Sequence, residues 1–161
     1  MSRPTRALVD LDALAHNCKL AARLTGDGAL MPVVKANGYG HGAAQVAQVF
    51  EPMAEALAVA CIEEALALRD AGIRVPIMLM EGIFTEDELQ AASRHDFWVM
   101  LQNDEQLERV ERSRLPRPVC CWLKLDTGMH RLGFAPERAT ELYGRLQSCP
   151  QVGGEVVLAT H

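Results

Sequence analysis

Residues 57–80 read LAVACIEEALALRDAGIRVPIMLM and follow a strand–helix–strand pattern. Residues 57–60 and 76–80 are short apolar runs, whereas residues 62–71 are rich in Ala, Leu and Glu and are followed by Gly72. Because strands joined by a helix lie parallel in one sheet, this segment predicts a βαβ unit. The run at 76–80 is apolar on both faces, which indicates that both sides of the sheet are covered.

The same alternation extends along the rest of the chain. Further helices are predicted where apolar residues recur at helical spacing behind a capping residue or a proline, and further strands where short apolar runs occur. The predicted helices begin at Asp10, Ala43, Thr85 (with Glu88 in a capping box), Asp104 and Pro136, and the predicted strands cover 30–35, 97–101, 119–125 and 155–159.

Two architectures satisfy this pattern, an open doubly wound sheet and a (β/α)8 barrel of the TIM type. About six strands are predicted, which is fewer than the eight that a closed barrel requires. The last predicted strand ends near His161 with no helix after it, so the barrel interpretation implies that the barrel is incomplete in this chain. The fold class is therefore α/β, with both kinds of sheet still open.

Composition limits the classes of function. The 161 residues carry a net charge of −5 and are 49% hydrophobic, which is typical of a soluble globular domain. No basic block is present, so a nucleic-acid partner is not expected, and no segment resembles a signal peptide or a membrane span. The five cysteines are odd in number and lack metal-finger spacing, which favours free thiols in a reducing cytoplasm and no metal site.

Residues 33–42, VVKANGYGHG, hold the most informative chemistry. Lys35 ends a predicted buried strand, and strand ends of this kind carry the active sites of barrels. Gly38, Gly40 and Gly42 permit close approach of the backbone to a ligand. Partial burial favours a neutral amine, the form that attacks a carbonyl to make a Schiff base. A lysine that merely extends from the strand end into solvent is the alternative.

Two motifs resemble those of alanine racemases. VVKANGYGHG is similar to the cofactor-lysine motif of that family, and residues 123–134, LKLDTGMHRLGF, resemble its LKxDTGMxRxG segment. Residues 159–161, ATH, are similar to the end of the next strand in the family. The resemblance extends from VDLD at 9–12 to His161.

The resemblance implies a TIM barrel that binds pyridoxal 5'-phosphate (PLP) at its strand ends, in a cytoplasmic homodimer that interconverts L- and D-alanine for the cell wall. It implies that residues 1–10 form a strand that pairs with a C-terminal β domain, and that residues 11–161 form part of the PLP-binding barrel. The family's second base is a tyrosine of the partner's C-terminal domain, to which nothing here corresponds. The 161 residues alone are therefore expected to be inactive and to aggregate or bind a partner.

The resemblance also implies roles for five residues. Lys35 binds the cofactor covalently and moves the α-proton on the D-alanine side, and Tyr39 holds the cofactor phosphate. Arg131 contacts the phenolic oxygen and the substrate carboxylate, and His161 lies beside the pyridine ring. Lys124 matches a lysine that is often carbamylated to orient the arginine; unmodified, the two cations would repel each other.

Three other interpretations stay open at this point. The chain could belong to another PLP-dependent barrel, such as a decarboxylase or a PLP-carrier protein, although DTGMHRLGF argues against the carrier. A non-catalytic relic is the third alternative. Arg131 taken alone fits a solvated loop arginine better than a substrate contact, and the motif around it reverses this, whereas Tyr39 taken alone is equally compatible with simple packing over its loop. The exact amino-acid substrate is not fixed by these residues.

Overall fold

The computed structural model describes residues 6–161, which contain one sheet of five parallel strands in the order β1-β2-β3-β4-β5. Each strand pairs with the next one in the sequence, with registers such as Val59↔Leu79 and Leu101↔Leu123. The strands are β1 (Leu57–Val59), β2 (Ile77–Leu79), β3 (Phe97–Leu101), β4 (Cys121–Lys124) and β5 (Val157–Ala159).

Helices precede and separate the strands. Arg145 of the last helix makes a two-point ion pair with Glu111 at 2.7 and 3.0 Å, which joins neighbouring helices on the outside of the sheet. The elements are α1 (Leu11–Leu24), the short turn α2 (Lys35–Tyr39), α3 (Ala43–Phe50), α4 (Ile62–Asp70), α5 (Glu86–His95), α6 (Asp104–Arg112) and α7 (Ala139–Ser148), with 3-10 turns at Glu51–Met53 and Pro136–Arg138.

The strand order decides between the two predicted architectures. In a doubly wound sheet the order reverses at a switch point, whereas here it runs in sequence from β1 to β5, as it does around a barrel. Successive right-handed crossovers in one direction keep all helices on one face of the sheet. The sheet is thus an arc of a TIM-type barrel, and the described residues do not close it.

The two faces of the sheet bury different residues. The outer face and the helices form the main core, in which Leu57, Leu79, Val99 and Leu123 are fully buried. The inner face forms a smaller apolar layer around Ala58, Met78 and Met100. Trp98 and Trp122 stack on this inner face with ring centroids 5.7 Å apart. The prediction that apolar residues are buried on both faces of the sheet is confirmed. Burial is complete on the outer face and partial on the inner face.

The predicted strand at 30–35 is wrong as a regular strand. Only Val33 makes a bridge to Ala58, through bonds from Ala58 N to Pro32 O and from Val34 N to Ala58 O at 2.9 and 2.8 Å. A third bond runs from Glu55 N to Leu30 O at 3.0 Å, but Pro32 has no N–H to continue a regular ladder on one side, and the backbone reversal at Lys35 ends the pairing on the other. The segment still lies beside β1, in the place where a sixth strand was expected.

The helix starts are mostly as predicted. The side chain of Asp10 accepts from Ala13 N at 2.9 Å, and that of Thr85 accepts from Glu88 N at 3.2 Å, whereas the Glu88 carboxylate accepts from Phe84 N at 2.7 Å and not from Thr85 N as a capping box would require. The start of α6 is a correction, because Asn103 and not Asp104 is the cap and accepts from Gln106 N at 2.9 Å. Pro136 opens a 3-10 turn before the α-helix, since its fixed φ suits a first turn.

The predicted N-terminal strand at 1–10 lies partly outside the described residues, and residues 6–10 are exposed and carry no strand or helix. All five cysteines are free thiols. Burial raises the pKa of the Cys121 thiol strongly. Between residues 6 and 161 no helix combines the length and apolar character that crossing a membrane requires.

Candidate active site

Four of the five predicted site residues line one cavity of about 400 Å³ on the inner face of the sheet. Lys35, Lys124, Arg131 and His161 all contribute to its wall, although 126 residues separate the first from the last. They converge because the carboxyl ends of parallel strands lie at one edge of the sheet. Met31, Val33, Met80, Met100 and Trp122 give the cavity an apolar floor.

The backbone after Lys35 makes a left-handed turn. Ala36, Asn37, Gly38 and Tyr39 all have φ between 51 and 63°. For residues other than glycine this conformation costs roughly 1–2 kcal/mol each, so surrounding contacts must hold it. Internal bonds from Gly38 N to Val34 O and from Gly40 N to Ala36 O help to do so. The predicted loop at 36–42 is thus an ordered, strained turn.

Glu64 anchors this turn. Its half-buried carboxylate accepts from Ala36 N at 2.7 Å and from Ala60 N at 2.8 Å, and so joins the residue after Lys35 to the end of β1. Asn37 secures the other side, because its side chain accepts from Ala43 N at 2.9 Å at the start of α3. Lys35 is therefore presented to the cavity from a backbone that is fixed at both ends.

Arg131 lies on a loop that closes on itself. Asp126 N donates to Phe134 O at 2.8 Å and Phe134 N to Lys124 O at 2.9 Å, so that the two ends of the loop are bonded together. The carboxylate of Asp126 accepts from His130 N at 2.9 Å and from Gly128 N at 3.1 Å. These two N–H donors, with His130 first, hold the pKa of Asp126 below its ordinary value.

The strand β5 brings His161 to the same place. Lys124 and Ala159 are register partners, and Thr160 bonds through its hydroxyl to the hydroxyl of Thr127 at the start of the Arg131 loop. His161 therefore follows Thr160, which is bonded to the loop after the strand that carries Lys124. An amine, a guanidinium and an imidazole around an apolar floor suit a flat ligand that has a carbonyl group and negative charges.

The sequence matches a family model described as "Alanine racemase, N-terminal domain" over residues 9–161. The chain belongs to this alanine racemase N-terminal domain family. The alanine racemase of Xanthomonas axonopodis pv. citri (strain 306) is 52% identical over 99% of this chain and 43% of that protein. The alanine racemase of Pseudomonas syringae pv. syringae (strain B728a) is 50% identical over 99% of this chain and 44% of that protein.

Solved alanine racemase structures share the fold. The biosynthetic alanine racemase from Pseudomonas aeruginosa superimposes with a TM-score of 0.89 and 41% identity, over 95% of this chain and 42% of that chain. The alanine racemase from E. faecalis gives a TM-score of 0.88 and 34% identity, over 99% and 44%. The chain thus spans less than half the length of the curated relatives, and its sheet is part of the alanine racemase barrel.

Tyr39 is the one predicted alanine racemase residue that does not line the cavity. It is 60% exposed and borders a small cleft with Leu14, Val46 and Phe50. It lies four residues after Lys35, at the far end of the left-handed turn. Its contact with the cofactor phosphate stays a prediction.

Two residues of this alanine racemase domain were not identified as site residues from sequence. They are Glu64, an acidic residue in the first turn of α4, and Gln102, which follows β3. A signal existed for Glu64, since it is the third residue of α4 and such residues often reach back to a preceding N–H. No local signal marks Gln102, because its place in the site depends on the register between β3 and β4.

Proposed function

We propose that these residues are part of a PLP-dependent alanine racemase, which interconverts L- and D-alanine and supplies D-alanine for the cell wall. The observation that carries the proposal is the single cavity that Lys35, Lys124, Arg131 and His161 line at the strand ends of a barrel of this family. Because these are the residues of the family's motifs, we infer the family's chemistry for this chain.

The lining of the cavity fits PLP. Lys35 offers an amine to the cofactor aldehyde from a fixed turn, and Val33, Ala58 and Met80 offer an apolar surface to its ring. PLP, when bound, supplies an electron sink for the negative charge that develops at the substrate α-carbon. Tyr39 would hold the cofactor phosphate, together with groups of the protein outside the 161 residues.

Lys35 has two tasks in this proposal. Its Nζ would hold the cofactor, and the same Nζ would take or return the α-proton on the D-alanine side. Racemisation needs a second base on the opposite face, and that base would come from the partner subunit. The strained turn at 35–39 and its Glu64 anchor fix the backbone that carries Lys35, as a base that serves only one face of the α-carbon requires.

Arg131 would bind negatively charged groups of the ligands, and Lys124 would orient Arg131. Arg131 stays protonated at every working pH and so gives a permanent contact for the substrate carboxylate or the phenolic oxygen. Lys124, carbamylated, would carry a negative charge that pairs with Arg131 and orients it. His161 would pack beside the pyridine ring. These roles, the homodimer and the cytoplasmic location are proposed from the resemblance to the family.

The test is a racemisation assay on the full polypeptide that the gene encodes, here called the full gene product. It is loaded with PLP and assayed over several amino acids for formation of the opposite enantiomer. We expect alanine to be the preferred substrate, with a visible absorption band and activity that are both lost in Lys35→Ala and kept in Lys19→Ala. Lys19 is an exposed lysine of α1 and serves as the matched control.

The same experiment separates the alternatives. Binding of PLP without turnover of any amino acid would indicate a carrier protein, and loss of carbon dioxide from the substrate would indicate a decarboxylase. A full gene product that binds no PLP would be a non-catalytic relic. Each of these three outcomes contradicts the proposal.

A further inference from the structure

Gln102 presents a buried hydrogen-bond acceptor that has no partner. It follows β3, is only 7% exposed and lines the cavity that holds Lys35 and Lys124. Its Oε1 atom is fully buried, and no donor in the described residues reaches it. Burying an acceptor without a hydrogen bond destabilises a fold, so a donor is expected in the working protein.

The orientation of this amide is fixed by the Glu81 carbonyl. Gln102 Nε2 donates to Glu81 O at 2.9 Å, and Gln106 Nε2 donates to the same carbonyl at 2.8 Å. Gln106 Oε1 in turn accepts from Gln102 N at 3.1 Å. A flipped Gln102 amide would set Oε1 against the Glu81 carbonyl oxygen. Oε1 therefore faces away from Glu81 because of the hydrogen bonds themselves.

The sheet register places one amine donor directly beside Gln102, while Trp122 Nε1, the other buried atom without a partner in the described residues, lies at the preceding inner-face position of the same strand. Leu101 pairs with Leu123, so the next residues along the two parallel strands, Gln102 and Lys124, are neighbours on the inner face. Both line the cavity. Lys35 follows Val33 beside β1 and is separated from β3 by two strands, and His161 follows β5 beyond β4. Among the cationic groups of the cavity, Lys124 lies on the strand next to Gln102.

We propose that Gln102 is a positioning residue whose Oε1 accepts a hydrogen bond from the side-chain nitrogen of Lys124 and directs it toward Arg131. This inference rests on the proposed function. Carbamylation of Lys124 joins the neutral amine nitrogen to the carbon of CO2, turns one C=O bond into a carboxylate oxygen, and releases one proton to solvent. One N–H remains on the nitrogen, and Gln102 accepts it.

The consequence for Arg131 is geometric. With the single N–H held by Gln102, the carboxylate of the planar carbamate points away from Gln102 into the cavity, which Arg131 also lines. Without Gln102 the carbamate would rotate freely and its nitrogen would have no acceptor. Gln102 would thus favour formation of the carbamate and fix its orientation, although it touches neither substrate nor cofactor.

The test uses Gln102→Met in the full gene product loaded with PLP, with Gln106→Met as the matched control. Gln106 is 3% exposed and bonds to the same carbonyl, but it does not line the cavity. The carbamate is measured by ¹³C NMR over a series of ¹³C-bicarbonate concentrations, and KM and kcat for alanine are measured at each. The carbamate resonance is assigned by its absence in Lys124→Arg.

We expect Gln102→Met to raise the bicarbonate concentration for half-maximal carbamate roughly tenfold, as the loss of one hydrogen bond implies. KM for alanine should rise in parallel and fall again at high bicarbonate, while PLP binding is unchanged. Gln106→Met should lower the thermal midpoint without moving the bicarbonate curve. If Gln102→Met does not fold, Gln102→Asn is used, since its shorter amide cannot reach both Glu81 and Lys124.

Three results would overturn the inference: no carbamate in the wild type, an unchanged bicarbonate curve in the Gln102 variants, or an equal shift in Gln106→Met. A wild type that racemises alanine while the Gln102 variants behave normally contradicts this inference alone. A wild type without racemase activity contradicts the proposed function itself. The two failures are thus distinguishable.

Discussion

At the scale of single residues, Glu64 is the anchor on which the position of Lys35 depends. Its carboxylate accepts two backbone N–H groups, one of them on the residue after Lys35. A carboxylate can accept both bonds, whereas an amide has one acceptor oxygen and an NH2 group that would face the second N–H. The anchor is therefore specific for glutamate.

Glu64→Gln is expected to lower the free energy of unfolding by about 1.5–3 kcal/mol, the range for a lost charge-assisted hydrogen bond. It should also weaken the visible band of bound PLP, because the turn that presents Lys35 loosens. Absorbance titration with PLP and chemical denaturation measure the two effects. Glu63→Gln, at the exposed neighbour in the same helix turn, is the control; an equal effect in both variants would contradict the account.

Asp126 makes the Arg131 loop sensitive to acid. Its pKa in the folded protein lies below the ordinary 3.8 because His130 N and Gly128 N donate to the carboxylate. A lowered folded pKa means that the stabilising effect is complete above pH 3.8 and is lost as the pH falls through the folded pKa. Asp126→Asn should therefore be less stable than wild type at pH 7, and the difference should vanish in strong acid.

Thermal unfolding of both proteins between pH 7 and pH 2 measures this difference. If the difference in thermal midpoint between wild type and Asp126→Asn increased toward acid, the inferred stabilisation by the ionised Asp126 carboxylate would be contradicted. The sequence placed Asp126 within the DTGMHRLGF motif but could not assign its hydrogen bonds, because these depend on how the loop folds back on Phe134.

At the scale of elements, the sequence predicted where most helices begin, and it predicted the bounds of β3 to the residue. Both succeed because helix caps and apolar runs are local signals. It was wrong on the strand at 30–35, since nothing local shows that residues 36–39 turn left-handed. It also could not tell Asn103 from Asp104 as the cap of α6, because both side chains are suitable acceptors.

The Arg131 loop contains two glycines that provide a matched test. A Cβ on Gly133 would lie 2.8 Å from Asp126 N and 2.9 Å from Leu125 C, whereas a Cβ on Gly128 would meet nothing within 4 Å. Both have positive φ, +120° and +141°. Gly128→Ala thus measures backbone strain alone, and Gly133→Ala measures strain plus a clash with the closed end of the loop.

We expect Gly128→Ala to cost about 1–3 kcal/mol of stability and Gly133→Ala distinctly more. Gly133→Ala should also raise KM for alanine, because it separates the loop ends that position Arg131. Denaturant unfolding and steady-state kinetics on the full gene product check both statements. Equal losses in the two variants would show that the loop is free to move away from β4.

At the scale of the whole molecule, the resemblance predicted the TIM-type barrel, and the strand order together with the alanine racemase relatives confirms it. Lys35, Lys124, Arg131 and His161 were predicted from two motifs and a strand end, and they line one cavity. Contacts between distant elements, such as Glu64 with Ala36 and Gln102 beside Lys124, were not predictable because they depend on sheet register.

The 161 residues expressed alone are expected to lack racemase activity and to self-associate. They cover 43% of an alanine racemase relative, and Leu158 on the edge strand β5 is 53% exposed. An unpaired apolar edge favours pairing with another chain. Light scattering after size exclusion and an alanine assay check this; a monomer with turnover would contradict it.

The central claim is that Lys35 is the residue that binds PLP. Borohydride reduction of the PLP-loaded full gene product, followed by peptide mass spectrometry, tests it most directly. We expect a phosphopyridoxyl group on the peptide that contains Lys35 and on no other. An adduct on Lys19 or Lys124 in place of Lys35, or the absence of any adduct, would contradict the claim.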